Sequence, residues 1–124
     1  MSAWIYVATT LVLTVYGQLV VKWQVGLAGP LPESVGGRVE FLGRLVLNPW
    51  VISVLLAAFI AALAWMAAMS KLELSRAYPW MSLSFALVLV FSALFFDESI
   101  TVWKLAGVGL ILLGVVVGSQ GLTR

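Results

Sequence analysis

A chain of 124 residues that is 63% hydrophobic and 10% charged, with mean hydropathy +1.12, cannot hide its apolar surface as a soluble domain of that size, so its solvent is lipid. The absence of cysteine and histidine removes disulfides, thiol nucleophiles, Cys/His metal sites and histidine acid–base chemistry. A net charge of +2 carried by few residues makes no basic patch for nucleic acid, and the length holds one unit of about four spans with no second domain.

The first span is expected over about residues 3–21. It has no basic region in front of it and no clear small-residue cleavage site, so it does not read as a removable signal peptide. Thr10, Thr14, Gln18 and Lys22 recur every four residues and share one slowly drifting stripe of a helix. Two readings of the threonines stand side by side: bonding to their own backbone, or lining a cavity. A primary amide near hydrocarbon needs partners, so Gln18 is expected to face a cavity or an interface. Lys22 either snorkels to the membrane surface or meets a ligand there.

Residues 23–44 form the one long connection, punctuated by Gly26, Gly29, Pro30, Pro32, Gly36 and Gly37. The stretch from Val39 to Val46 reads equally as a short amphipathic helix lying on the membrane or as an ordinary loop. The second span is expected over about residues 49–70, with Pro49 suited to a helix start. Its alanines, Ala57, Ala58, Ala61, Ala62, Ala64, Ala67 and Ala68, either allow close helix approach or serve only as good helix formers.

After the polar turn with Lys71, Glu73 and Arg76 comes the segment that organises the rest, residues 77–96, AYPWMSLSFALVLVFSALFF. It carries no charge, and twenty residues at helical rise match a hydrocarbon core of roughly 30 Å. Tyr78, Pro79, Ser82 and Ser84 interrupt its apolar first half. On a regular helix Tyr78 and Ser82 share a face, and polar groups in a span look inward. Asp97, Glu98, Ser99 and Thr101 then suit the start of the next helix by capping and by the helix dipole, a role expected of Glu98 in particular.

The fourth span is expected over about residues 102–118. Gly107, Gly114 and Gly118 form a flat stripe on which another helix can pack, within the chain or between chains. Trp4, Trp65 and Trp80 fall near one membrane face and Trp23, Trp50 and Trp103 near the other, which puts both termini on one side. Lys22, Arg38, Arg44 and Lys104 on one face oppose Lys71, Arg76 and Arg124 on the other, a balance too even to fix orientation. The fold class is therefore an all-α membrane protein of four transmembrane helices.

These residues resemble the small multidrug resistance proteins and their relatives in the drug/metabolite transporter superfamily, over nearly the whole chain. Gly17 and Lys22 stand where that family has its glycine and lysine. Gly107, Leu110, Ile111, Gly114 and Val115 reproduce its G-x-x-L-I-x-x-G-V dimerisation pattern. Drug-exporting members carry a glutamate in the first span, and this chain has Thr14 at that position and no acid inside any span. The pair Gly17–Gln18, the following Lys22 and AYPWMSLSF at residues 77–85 resemble the subunits of 4-amino-4-deoxy-L-arabinose-phosphoundecaprenol flippases, which also lack the glutamate.

The resemblance implies a small multidrug resistance-like bundle in a bacterial inner membrane, a homodimer or a heterodimer with a second four-span subunit. It implies translocation of a polyprenyl-phosphate-linked sugar lipid for lipid A modification, without a cofactor. Such a lipid needs hydroxyls and amides in a groove open to the bilayer, for which Thr10, Thr14, Gln18, Tyr78 and Ser82 are candidates. It also needs cations near each interface, for which Lys22 and Arg76 are candidates. The alternatives are a multidrug-type exporter with altered coupling, which lacks the counter-charge a cation requires, and a non-transporting partner subunit. An enzyme is not expected, because there is no nucleophile–base pair, metal cluster or phosphate loop.

Overall fold

The computed structural model describes residues 2–120, so Arg124 lies outside the described residues. Helix α1 spans Ala3–Ala28, α2 Val35–Leu47, α3 Pro49–Met69, α4 Leu74–Ala77, α5 Leu83–Phe95 and α6 Val102–Gln120, with a 3-10 segment at Tyr78–Ser82 between α4 and α5. Among the described residues four stretches are long and apolar enough to cross a membrane: Ala3–Ala28, Pro49–Met69, Leu74–Phe95 and Val102–Gln120. The chain is a multi-pass membrane protein of the all-α class.

The helix starts follow from local chemistry. Ser2 Oγ accepts from Trp4 N at 3.3 Å, Ser34 Oγ from Gly37 N at 3.0 Å, Asn48 Oδ1 from Trp50 N at 2.8 Å and Thr101 Oγ1 from Lys104 N at 3.1 Å. Each satisfies a donor that the first turn leaves unpaired.

Three sequence expectations are corrected, and one left open is resolved. The first helix does not stop near residue 21 but runs on to Ala28, because nothing breaks it before Gly29, whose positive φ of 89° glycine adopts without strain. The third span is not one regular helix. Pro79 brings no N–H, and Tyr78–Ser82 winds as a tighter 3-10 turn between α4 and α5. Glu98 does not cap α6. Thr101 does, while Glu98 reaches Lys22 Nζ at 3.8 Å. The stretch left open around Val39–Val46 is helical and longer, Val35–Leu47, with none of its residues buried.

The main seam joins α1 and α3. Val7, Thr10, Val15, Gly17, Val20 and Gln24 are buried on α1, and Ala57, Ala61, Ala64 and Ala68 on α3. Between transmembrane helices in lipid, close packing rather than water exclusion drives association, and small side chains let backbones approach. A Cβ built on Gly17 would stand 3.2 Å from Val54 Cγ1, so this position leaves no spare room. The most enclosed cluster is Val7, Ala68 and Ala77, ringed by aromatic side chains including Trp4, Trp65 and Trp80.

Aromatic contacts fix which ends lie together. Trp4 meets Trp80 edge-on at 6.2 Å and Trp65 meets Tyr78 at 6.0 Å at one end, and Trp23 meets Trp50 at 5.1 Å at the other. Trp4 and Trp23 stand roughly 28 Å apart along α1. The spans therefore alternate in direction, and the described chain begins and ends at the Trp4 end. Helix α6 contributes little to the interior: Val115 is its one buried residue. A Cβ at Gly107, Gly114 or Gly118 would meet nothing within 4 Å.

Candidate functional site

Helix α1 packs closely on α3 but loosely on α5, and a groove opens between α1 and the segment from Tyr78 to Val88. Its wider part, about 470 Å³, is lined by Thr10 and Thr14 from α1, Trp65 from α3, and Tyr78, Ser82, Ser84 and Phe85 among others from the third span. A continuation of about 310 Å³ is lined by Thr14, Gln18, Ser84, Phe85 and Val88. Thr14, Ser84 and Phe85 belong to both parts, so the two form one path along the helices. Tyr78 and Phe85 are more than half exposed, so the groove opens sideways.

The polar groups in this groove differ in what they already bind. Thr10 is 7% exposed, and its hydroxyl donates to the Tyr6 carbonyl at 2.9 Å and approaches the Ala61 carbonyl at 3.3 Å. It therefore locks α1 to α3 and has little left for a ligand. Ser82 Oγ donates to the Pro79 carbonyl at 2.6 Å, steadying the 3-10 turn. Among the described residues, Thr14, Gln18, Ser84 and the Tyr78 hydroxyl have no hydrogen-bond partner. Three hydroxyls and one amide in a groove walled by hydrocarbon can replace water around a polar guest. No carboxylate lines the groove among the described residues.

Five candidates thus come together: Thr10, Thr14, Gln18, Tyr78 and Ser82. The two cations do not join them. Arg76 is exposed, with its guanidinium 5.9 Å from the Trp4 ring centroid, over its face. Lys22 is exposed at the opposite end beside Glu98, where Trp23 packs on Trp50. Of the dimerisation-pattern residues, Gly107, Leu110 and Gly114 are exposed and Ile111 is half-buried, and Gly107 and Ile111 both line a cleft against α5.

Sequence reasoning did not assign a site role to Ser84, although its polarity inside an apolar run marked it. It also missed Trp65, which belongs to a different span and carries no local signal of the groove. Gln24 went unnoticed because it falls in what reads as a loop. It is 6% exposed, and its Oε1 accepts from Asn48 Nδ2 at 3.0 Å.

Residues 2–119 match the EamA-like transporter family. The chain is 34% identical over 119 residues to a probable 4-amino-4-deoxy-L-arabinose-phosphoundecaprenol flippase subunit ArnF of Pseudomonas aeruginosa (strain LESB58), covering 94% of this chain and 83% of that protein. It is 37% identical over 113 residues to the probable ArnF subunit of Yersinia enterocolitica, covering 86% and 84%. A shorter similarity, 41% over 69 residues, links it to a probable ArnE subunit of the same flippase type from Aeromonas hydrophila, covering 56% and 60%. No solved structure matches the chain.

Proposed function

The chain belongs to the EamA-like transporter family, and on that footing we propose that it is a flippase, or one subunit of a flippase, moving an undecaprenyl-phosphate-linked aminosugar across the bacterial inner membrane. The observation that carries this reading is the sideways-open groove with its unpaired Thr14, Gln18, Tyr78 and Ser84 groups. The polyprenyl tail stays in lipid while the sugar passes along the groove, trading water for hydroxyl and amide contacts.

The phosphate is met at the ends rather than in the middle. Arg76 and Lys22 stand at opposite ends of the bundle, exposed and outside the groove. In an antiparallel pair each membrane face holds one Arg76 and one Lys22. In a parallel pair one face holds both arginines and the other both lysines. Arg76 is the stronger phosphate contact, since its planar fork can hold two oxygens where Lys22 offers a point charge. A second four-span subunit, identical or related, covers the open glycine face of α6 at Gly107, Leu110 and Gly114.

The test is binding of a polyprenyl-phosphate aminosugar by folded, membrane-inserted variants. Arg76→Ala weakens binding about 5-fold or more, as expected for loss of a charge-assisted hydrogen bond, and Lys22→Ala weakens it less. Wild-type affinity in both variants would remove the phosphate role from these cations.

A further inference from the structure

At the end of the bundle away from Tyr78, the last turns of α1, the inner face of α2 and Asn48, the cap of α3, line an open pocket of about 470 Å³, a volume typical of small-molecule sites. The buried Gln24 lies at its base. Asn48 Oδ1 is held by Trp50 N, which aims Asn48 Nδ2 at Gln24 Oε1. The Gln24 Nε2 donors have no partner among the described residues and are not sealed from the pocket. Helix α2 adds Glu40 and Arg44, an ion pair one turn apart with both side chains largely exposed. Such a pair is weak, and its members are free to take other partners.

The other side of α2 says what surrounds this pocket. Val35, Val39, Leu42 and Val46 are each more than half exposed, and their spacing places them on one stripe. The Trp23–Trp50 contact, of the kind found at membrane interfaces, lies at the same end. A helix with that stripe lies in the interface with its apolar side toward the acyl chains. Its polar side, with Glu40 and Arg44, then faces the pocket at the depth of lipid headgroups.

We propose that this pocket binds a lipid headgroup carrying a primary ammonium beside a phosphate. Glu40 takes the ammonium, and Arg44 with the free Gln24 amide takes the phosphate oxygens, so the guest replaces the pair's internal bond with two complementary ones. A bilayer phosphatidylethanolamine has this chemistry, and so does the aminosugar lipid that the proposed function carries. The second source rests on that functional reading and the first does not.

Native mass spectrometry of the purified full chain, titrated with each lipid, tests the site. Wild-type protein binds phosphatidylethanolamine roughly 5- to 20-fold more tightly than phosphatidylglycerol, and the polyprenyl-phosphate aminosugar more tightly than its N-acetylated form. Glu40→Gln abolishes the preference for ammonium, and Arg44→Gln weakens binding of all four lipids. Competition in favour of the aminosugar lipid assigns the pocket to the transported molecule, and competition in favour of phosphatidylethanolamine assigns it to a resident lipid. Both outcomes support the site. Equal binding of the ammonium-bearing and ammonium-free lipids, or a preference that survives Glu40→Gln, overturns it. The preference for phosphatidylethanolamine and its loss in Glu40→Gln involve no transported lipid, so failure of this site and failure of the transport reading are told apart.

Discussion

Thr10 and Thr14 lie one turn apart and touch the same groove, yet their hydroxyls do different things, and a pair of valine substitutions separates them. Thr14 has no hydrogen-bond partner among the described residues. Thr14→Val keeps the shape of the side chain and orphans no protein group, so stability stays within about 0.5 kcal/mol of wild type. If that hydroxyl serves the passing sugar, its loss removes one neutral hydrogen bond of about 0.5–1.5 kcal/mol, and translocation slows about 2- to 12-fold. Thr10→Val instead deletes the hydroxyl that bonds the Tyr6 carbonyl and reaches across to the Ala61 carbonyl of α3. Its cost, again about 0.5–1.5 kcal/mol, falls on folding and lowers the unfolding temperature. The assay is thermal unfolding in one detergent together with lipid translocation in liposomes, normalised to folded protein. A Thr14→Val protein with the wild-type rate, beside a Thr10→Val protein that is stable but slow, would refute the division of roles.

Gly17→Leu forces a branched side chain into the 3.2 Å gap before Val54 Cγ1 and destabilises the α1–α3 seam by about 1–3 kcal/mol; an unchanged unfolding temperature would contradict that packing. Gly107→Leu with Gly114→Leu leaves the single chain folded, because nothing stands within 4 Å of either Cβ position, and reduces crosslinking between chains in the membrane. Crosslinking that persists at the wild-type level would move the subunit interface elsewhere. Purified protein exports no quaternary ammonium compound on a proton gradient, since Thr14 cannot bind proton and cation in turn and no acid lies within a span. Ethidium export driven by that gradient would overturn this.

The spans themselves were legible because hydropathy and length are properties of contiguous sequence. The tryptophan belts were legible for the same reason, and the Trp4–Trp80 and Trp23–Trp50 contacts follow the grouping read from position alone. The polar stripe of α1 and the hydroxyls after Tyr78 stood out because polar groups are costly in lipid, and the two do face one groove. What sequence could not give was how each hydroxyl is used. Thr10 and Thr14 differ only in where α3 lies, a fact set by Gly17 and the alanines of α3. The extension of α1 to Ala28 was hidden because Lys22 marks a membrane surface but does not stop a helix, and the Gln24–Asn48 contact that holds the extension joins residues far apart in sequence. The 3-10 turn at Tyr78–Ser82 broke a periodicity argument that assumed a regular helix across Pro79.

The central claim is that a lipid-linked aminosugar crosses the membrane along the groove between α1 and α5. The direct measurement is movement of an undecaprenyl-phosphate aminosugar between leaflets of liposomes containing this chain, alone and together with a related four-span subunit, against liposomes without protein. Protein accelerates the movement in at least one of the two combinations, and Thr14→Val combined with Ser84→Ala, folded and inserted as wild type, slows it by more than either single change. Movement no faster than in protein-free liposomes in both combinations, or a double variant as fast as wild type, would contradict the account.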